Sequence, residues 1–335
     1  MSAYELIDNP NFIDKNYIAC LLNQGATVTV QFSDAIYTRQ MLSDLNEICN
    51  VNDERFSIRF YGHRSSTFDC HLFHDIPDVK SLVVDPEAVL VHTDAFTHLS
   101  SLKSFSLDPD DLDNKNFFSN PVFAKLEKLS IGNTARNDIN LEYLGSMTKL
   151  KILILHEQTK NIEAIGGTVV LEKLTLNKIK KVKLDFVNKL RHLHTLRLLL
   201  GSREDIGEIE ENNIECLEMV LVRGFNNLSG LSAFKKLRQL RFEDLAQLQS
   251  ISFGESQQTL EELKIANCKS LEEINGLAQL KNLSSLFINV TSIDFDDMLN
   301  RGLPSSLKNF SFYTGKSKRD QQIKTELKKS GYSVS

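Results

Sequence analysis

The segment HRSSTFDCHLFHD, residues 63–75, is rich in side chains of the types that bind zinc. Imidazole nitrogens, thiolates and carboxylates are the usual zinc ligands. The segment supplies them from His63, Cys70, His71, His74 and Asp75. Their spacing does not match a closed zinc module, and surface exposure or packing at the edge of a core explains them more simply. A metal-dependent enzyme built on this cluster is therefore a minor alternative, and we expect neither a metal site nor a cofactor.

Two other patterns resemble catalytic motifs without completing them. FYTGKSK contains the Gly-Lys-Ser end of a phosphate-binding loop, but Phe310 stands where that loop requires a glycine, five residues before Gly315. His192 and His194 lie two residues apart, and the repeat spacing described below places no nucleophile or carboxylate beside them. The sequence therefore predicts a protein without catalytic activity.

The elements that must position any site are set by a repeat. The pattern L-x-x-L-x-L recurs in steps of 20 to 24 residues. Its last two apolar residues are separated by one residue, so both point to the same face of a short strand. Because one coil cannot bury its own apolar edge, successive coils must stack into a continuous core. The copies begin at Val79, Leu102, Leu126, Leu150, Leu171, Leu193, Leu217, Leu237, Leu260, Leu283 and Leu307.

This pattern resembles the leucine-rich repeat family, in the short-repeat, cytoplasmic bacterial-like form with repeats of about 20 to 24 residues. The resemblance covers about Ile58 to Tyr313. It implies an α/β solenoid, a curved horseshoe with a parallel sheet on its concave face and 3-10, extended or helical segments on its convex side. The family usually has Asn or Cys at the ninth position of each repeat. Cys268 fits that rule, whereas other residues occupy it elsewhere: Gln158, Gly201, Leu245 and Thr291.

Segments outside the repeats predict two caps. Residues 26–32 read as a strand, Ser33 as the N-cap of a following helix that includes Ile36, and residues 55–62 as the next strand, which together form a βαβ unit. The C-terminal segment predicts a basic helix with Ile323 and Leu327 pointing inward. The expected organisation is an N-terminal cap over residues 1–55, about eleven coils over residues 56–313 and a C-terminal cap over residues 314–335.

Composition narrows the compartment and the partners. The net charge of −5 over 335 residues gives no reason to expect nucleic acid as a partner. No apolar run reaches the length of about 18 residues that a membrane span requires, so no membrane association is expected. The N-terminus lacks the basic and apolar regions of a secretory signal. Five scattered cysteines show no disulfide pattern, which favours a reducing cytoplasm.

The face of the sheet that is not packed on the core is the expected binding surface. If positions four and six of each repeat point inward, positions three, five and seven face outward. The N-terminal half presents Asp85 and Asp108 there, while the C-terminal half presents basic and large apolar side chains, the composition of interface hot spots. The predicted partner-binding residues are His156, Arg197, Leu199, Met219, Leu221, Arg223, Arg241, Lys264, Phe287 and Tyr313.

The resemblance implies a protein–protein interaction module that binds a folded protein through this face. The basic strip favours a partner with an acidic surface, and an inhibitor or an immunity protein against a toxin is one form that such a module takes. The principal alternative is a secreted bacterial effector that binds host proteins. Inhibitor and scaffold roles, and concave and convex binding faces, all remain open at this point.

Overall fold

The computed structural model divides the chain into two compact units, Met1–Leu171 and Glu172–Ser335. Each unit is built from repeated coils that contribute one strand apiece to a parallel sheet, which confirms the predicted leucine-rich repeat solenoid. The division into caps and repeats stays a prediction. The structure describes residues 3–34, 36–63, 66–180, 182–329 and 331–332. The predicted caps and repeats also include residues outside the described ones, namely 1–2, 35, 64–65, 181, 330 and 333–335.

The first unit contains two α-helices, α1 (Lys15–Asn23) and α2 (Arg39–Val51). Its strands are β1 (Tyr4–Asp8), β2 (Thr27–Phe32), β3 (Phe56–Tyr61), β4 (Thr67–Asp69), β5 (Ser81–Asp85), β6 (Val89–Val91), β7 (Ser104–Leu107), β8 (Asp111–Leu112), β9 (Lys128–Ile131) and β10 (Ile152–His156). Its 3-10 helices are Cys70–Asp75, Thr93–His98, Phe117–Ser119, Pro121–Lys125, Glu142–Ser146 and Ile162–Gly167. The main sheet runs β1-β2-β3-β5-β7-β9-β10, and a separate three-stranded sheet runs β4-β6-β8.

The second unit repeats this plan. Its strands are β11 (Lys173–Asn177), β12 (Thr195–Leu199), β13 (Cys216–Val220), β14 (Gln239–Glu243), β15 (Ser250–Ser252), β16 (Glu262–Ala266), β17 (Glu273–Asn275), β18 (Ser285–Asn289) and β19 (Asn309–Tyr313). Its helices are α3 (Phe295–Asn300) and α4 (Ser317–Lys329), with 3-10 helices at Asp185–Lys189, Ser229–Ala233, Glu255–Gln257 and Leu277–Gln279. The main sheet runs β11-β12-β13-β14-β16-β18-β19, and β15 pairs with β17.

Alternation along each strand separates the core from an open face. In β14, Leu240 and Phe242 are buried, while the three residues between and beside them are not. Leu240 lies directly opposite Leu263 of β16, so the buried positions of neighbouring coils stack on one another. Removing each such side chain from water contributes roughly 1.5–3 kcal/mol. The apolar frame therefore fixes which residues face outward.

One repeat has a different frame from the one expected. In β13, Leu217 and Met219 are the buried pair, opposite Leu240 and Phe242 of β14, and Ile214 is the preceding apolar member. The frame that begins at Leu217 is therefore wrong by three residues. The outward residue at the centre of β13 is Glu218, not Leu221.

Six strands in the described part of the second unit's main sheet, all except β19, are followed directly by a residue in the left-handed conformation, which turns the backbone out of the sheet. Leu200 has a φ of 56° and Leu221 a φ of 53°. The amide of each still donates to the next strand, Leu200 N to Val220 O at 2.8 Å and Leu221 N to Glu243 O at 2.9 Å. The same conformation occurs at Lys178, Asp244, Asn267 and Val290.

At the ninth position, directly after this turn, the side chain points inward. Gln158, in the first unit, is fully buried, and its Nε2 donates to the carbonyl of Gly132 at 3.1 Å. Its Oε1 accepts from the amide of Ile139 at 3.2 Å. Gln158 thus bonds the backbone of the turns, as an asparagine at this position would. The difference from the expected pattern is therefore the replacement of one side-chain amide by another.

The N-terminal region contains more structure than expected. Neither β1 nor α1 was predicted, and α2 begins at Arg39 with Thr38 as its N-cap, so the prediction of Ser33 is wrong. Ser33 instead exchanges two hydrogen bonds of 2.9 Å with the side chain of Asn9, just after β1. Ile36 precedes the helix and is 51% exposed, so it does not belong to the buried helical face.

At the C-terminus, α4 buries Ile323 and Leu327, as predicted from their spacing. The carboxylate of Asp320 accepts hydrogen bonds from the amide and hydroxyl of Thr314, which ties the start of the helix to the end of β19. Within the described ranges, no helix has the length and apolar character needed to cross a bilayer. The five cysteines are all free thiols.

Candidate functional site

The open face of the second unit carries a continuous row of side chains, one from the centre of each strand. Parallel pairing places these residues directly opposite one another. Neighbouring strands lie about 4.8 Å apart, so each side chain of the row can contact the next. We call this the central row: Thr175, Arg197, Glu218, Arg241, Lys264, Phe287 and Ser311.

Glu218 joins the two arginines of the central row. Its carboxylate accepts from Arg197 Nε at 2.8 Å and from Arg241 Nη1 at 2.5 Å, and only 14% of its side chain is exposed. Arg241 also donates from Nε to Glu243, two residues along its own strand, at 3.1 Å. The hydrogen bond to Glu243 raises the pKa of Arg241, and the charge of Glu218 acts in the same direction. The two arginines are thus held by carboxylates, and the expected uninterrupted basic strip is not present.

Three predicted site residues occupy other positions because of the shifted frame. Met219 is fully buried in the core and offers no surface to a partner. Arg223 is exposed, but it lies in the loop after β13, where it pairs with Ser202 rather than with a strand of the sheet. Leu221 is 44% exposed at the turn that follows β13 and not within the strand. Leu199 lies partly exposed at the end of β12, as expected.

The remaining predicted residues of this unit gather at the end of the sheet. Lys264 Nζ lies 5.3 Å from the centre of the Phe287 ring, a cation–π arrangement. Tyr313 stands on the neighbouring strand β19, two residues beyond Ser311, which faces Phe287. Its side chain is 52% exposed. We call Lys264, Phe287 and Tyr313 the Phe287 patch. Among the described residues, Lys264 makes no salt bridge.

A shallow depression of about 170 Å³ lies along the central row. Arg197, Glu218, Arg241 and Lys264 line it, with Glu262 at its margin. These side chains offer hydrogen-bond donors and acceptors of both charges. Cys216 also lines the depression, and burial raises the pKa of its thiol. The arrangement is suited to recognising a surface that carries polar and charged groups.

The open face of the first unit has a different character. Its groove of about 550 Å³ is lined by small hydroxyl side chains and by two lysines and two glutamates, Lys103, Lys128, Glu54 and Glu127. Arg59 Nε lies 3.2 Å from both carboxylate oxygens of Asp85, and its guanidinium lies 4.7 Å from the Tyr61 ring. Burial raises the pKa of Asp85, and Arg59 opposes that shift. The carboxylate expected to make this face acidic is therefore paired. The serines of the groove are Ser57, Ser81, Ser104, Ser106 and Ser130.

His156 lies at the end of β10 in the first unit, whereas the other predicted site residues belong to the second unit. The Nε2 of its half-buried ring has no hydrogen-bond partner in the described part of the chain. The pKa of Asp108 is raised by burial, with the His156 ring opposing the shift. His156 is thus near a carboxylate of its own unit, and we do not include it in the Phe287 patch.

The five side chains of segment 63–75 that were considered as zinc ligands lie in different surroundings, and residues 64–65 lie outside the described ones. His63 and Cys70 are buried, and burial raises the pKa of the Cys70 thiol. Asp75 pairs with Arg39 at 3.1 Å. The expectation for the other histidine pair is also corrected, because His194 Nε2 lies 3.8 Å from a carboxylate oxygen of Glu172.

Sequence reasoning missed Glu218, the residue that decides the charge of the central row. The signal was present, because Ile214, Leu217 and Met219 also fit L-x-x-L-x-L. With that frame the steps from Leu193 and to Leu237 become 21 and 23 residues. Those steps are more uniform than the steps of 24 and 20 that the frame starting at Leu217 requires.

Comparison with solved structures gives distant similarities over most of the chain. An internalin (inlF) from Listeria monocytogenes is 16% identical, with a TM-score of 0.51, over 82% of this chain and 88% of that one. A leucine-rich repeat protein from Leptospira interrogans is 12% identical, with a TM-score of 0.53, over 98% of this chain and 93% of that one. No protein-family model and no curated protein matches the chain. At these identities the similarities concern the fold, and they agree with the stacked coils described above.

Proposed function

We propose that this leucine-rich repeat protein is a non-catalytic binding module that holds a folded protein partner on the open sheet face of its second unit. The Phe287 patch is the centre of the proposed contact, and Arg241 lies beside it. The observation that supports this proposal most is the contact of Lys264, which has no salt bridge among the described residues, with the Phe287 ring, together with the exposed Tyr313 on the neighbouring strand.

The composition of the patch favours protein recognition. Tyrosine, arginine and other large side chains supply most of the energy at protein interfaces when a partner covers them. Tyr313 is 52% exposed at the end of β19, whose backbone is paired with β18. A rigid aromatic ring loses little conformational freedom on binding, so covering it costs less than ordering a flexible loop would.

The charges define the partner more narrowly. Arg197 and Arg241 already share the carboxylate of Glu218, so neither is a free cation. Lys264 contacts the Phe287 ring instead. A partner that places a carboxylate over Lys264 and an apolar group over the rings would complement the patch. We therefore expect the partner to place an acidic group over Lys264 alone, and not along a whole basic strip.

Affinity capture tests the proposal. The purified chain would be used as bait in a lysate of its native host, together with a Phe287→Ala/Tyr313→Ala variant. The first unit offers a matched control in two exposed aromatic residues, Phe12 and Tyr17, which are 70% and 47% exposed. We expect one dominant protein to be captured by the wild type and by Phe12→Ala/Tyr17→Ala, and to be lost with the patch variant.

The captured protein also shows whether the chain acts as an inhibitor, a scaffold or an effector. If adding the chain abolishes the partner's own activity, the chain is an inhibitor, as an immunity protein is; if the activity persists, it is a scaffold. A partner found only in lysates of a second organism identifies an effector. Capture that survives the patch variant and is lost with the Phe12/Tyr17 control would contradict the proposed site.

A further inference from the structure

Histidines gather at one place in the first unit. The chain has eight histidines, and four of them make ring contacts with one another in two successive coils. The His71 and His92 rings are stacked, with centres 4.2 Å apart. The His74 and His98 rings lie 4.1 Å apart, and His71 and His74 lie 5.6 Å apart. The four imidazole rings thus form one group at the surface of two successive coils.

Asp69 provides a common partner for two of these rings. Its Oδ1 lies 3.0 Å from His71 Nδ1 and 3.0 Å from His92 Nδ1. One ligand atom from each of the three side chains lies within 4.8 Å of the other two. About half of each side chain is exposed, 57% for Asp69 and 52% for each histidine. An ion from solution can therefore reach all three.

Two coils contribute to this group, and their register brings it together. Asp69 is the last residue of β4 and pairs with Val91 of β6, and His92 follows Val91 directly. Asp69 also caps the 3-10 helix that carries His71, with its Oδ1 accepting from the His71 amide at 2.9 Å. The carboxylate is thus fixed by one coil, while one imidazole comes from each coil.

We propose that Asp69, His71 and His92 bind a divalent transition-metal ion of the zinc class and so link two successive coils of the first unit. Two imidazole nitrogens and one carboxylate oxygen form a common zinc ligand set, with a fourth position left for water. This set differs from the five side chains considered from the sequence, because His92 comes from the next coil. His63, Cys70 and Asp75 do not belong to it.

The distances fit such an ion with a small adjustment. Zinc bonds of about 2.0–2.2 Å place the ligands of a tetrahedral site about 3.3–3.5 Å apart. The carboxylate oxygen is 3.0 Å from each nitrogen, so these two spacings need to widen by only a few tenths of an ångström. The two nitrogens lie within 4.8 Å of each other, and the exposed rings can adjust that spacing. Without metal, imidazole N–H groups can bond to the carboxylate at these distances. With metal, the ion takes that position, and each neutral ring carries its proton on Nε2.

Titration calorimetry with ZnCl₂ tests the site on the full chain without a histidine tag. The exposed thiol of Cys20 is removed in all samples by Cys20→Ser, so that it does not compete for zinc. We expect one saturable equivalent of Zn²⁺ and no binding of Mg²⁺, which prefers oxygen ligands. Bound zinc should raise the thermal midpoint, because an ion that binds only the folded state stabilises it.

Two variants of different kinds test the ligand assignment. Asp69→Asn keeps the shape of the side chain, and His92→Ala leaves the cap of the 3-10 helix intact; each should weaken zinc binding by at least about tenfold. The control is His192→Ala/His194→Ala in the second unit, which should bind zinc as the wild type does. The absence of saturable binding, or equal affinity in His92→Ala, would overturn the proposal. Loss of binding in the control alone would overturn it too.

Discussion

Arg241 Nη1 lies 2.5 Å from Glu218 Oε1 on the neighbouring strand, and Arg197 Nε lies 2.8 Å from the other carboxylate oxygen. This bridge turns a basic strip into a balanced network and leaves Lys264 as the cation directed to the Phe287 ring. We therefore expect the partner to bind at the C-terminal strands of this face, where the Phe287 patch lies.

The register of β13 can be checked with two neighbouring apolar residues. Met219→Ala should lower the free energy of unfolding by about 2–5 kcal/mol, because it leaves a cavity in the core. Leu221→Ala should change it by less than about 0.5 kcal/mol, since that side chain lies at the surface. Urea unfolding of the two variants measures both values. Equal losses would contradict the register described here.

We expect the contribution of Glu218 to the stability of the protein to depend on salt concentration. Glu218→Gln removes the charge between two arginines and should cost about 1 kcal/mol at low ionic strength. The loss should shrink in about 1 M salt, because screening weakens the repulsion that remains. Glu211→Gln is the matched control, since it breaks the exposed pair with Lys235 and should have a smaller effect. A loss at Glu218 that is independent of salt would argue against the electrostatic explanation.

Alanine substitutions at two glycines with similar φ values can distinguish the cost of backbone strain from the cost of a steric clash. Gly276 has a φ of 76° and Gly315 a φ of 82°. A Cβ at Gly276 would lie 2.2 Å from the carbonyl oxygen of Phe253, whereas one at Gly315 would meet nothing within 4 Å. Gly315→Ala should cost about 1 kcal/mol through its conformation alone.

Gly276→Ala should cost at least about 2 kcal/mol, because the neighbouring coil must also shift. Thermal unfolding of both variants decides between the two expectations. If the two alanine variants had the same midpoint, the close approach of the Gly276 backbone to the Phe253 carbonyl would be refuted.

The buried His63 predicts a dependence of stability on pH. Burial lowers its pKa, while the carbonyl of Tyr61 and the charges of Asp34 and Asp85 oppose that shift. Aromatic rings surround it, with the Phe68 ring 5.0 Å away. A histidine whose pKa is lower when folded contributes stability that is present above the unfolded pKa of about 6.5 and is lost as the pH falls below it.

Urea unfolding between about pH 7.5 and pH 5 should therefore show the wild type losing stability relative to His63→Phe. His192→Gln serves as the control, because it leaves His63 in place and should keep the wild-type decline. A wild type and a His63→Phe variant that decline in parallel would show that His63 does not titrate in this range.

The sequence predicted the sheet because its buried residues obey a strict spacing. Leu196 and Leu198, or Leu263 and Ile265, lie two apart and repeat at nearly constant steps, so strands and outward positions followed directly. The frame at Leu217 failed because Val220 and Val222 mimic its apolar members. Pairing with β12 and β14 places Leu217 at the second apolar position of the pattern, in agreement with the more uniform steps that a frame starting at Ile214 gives.

Side chains held by irregular segments could not be placed in this way. His92 follows β6 and Asp69 ends β4, and their meeting depends on the pairing of these two short strands, which the apolar frame does not specify. The start of α2 failed for a similar reason. Ser33 bonds to Asn9 near a strand that was not expected, and so it is not available as the helix cap.

The affinity of the captured partner for the purified chain tests the central claim most directly. Titration calorimetry would compare the wild type with Phe287→Ala/Tyr313→Ala and with the control Phe12→Ala/Tyr17→Ala. We expect the patch variant to lose at least 2 kcal/mol of binding free energy, about thirtyfold in Kd, and the control to bind as the wild type does. An unchanged Kd in the patch variant would contradict the proposal that the partner binds on the open sheet face of the second unit.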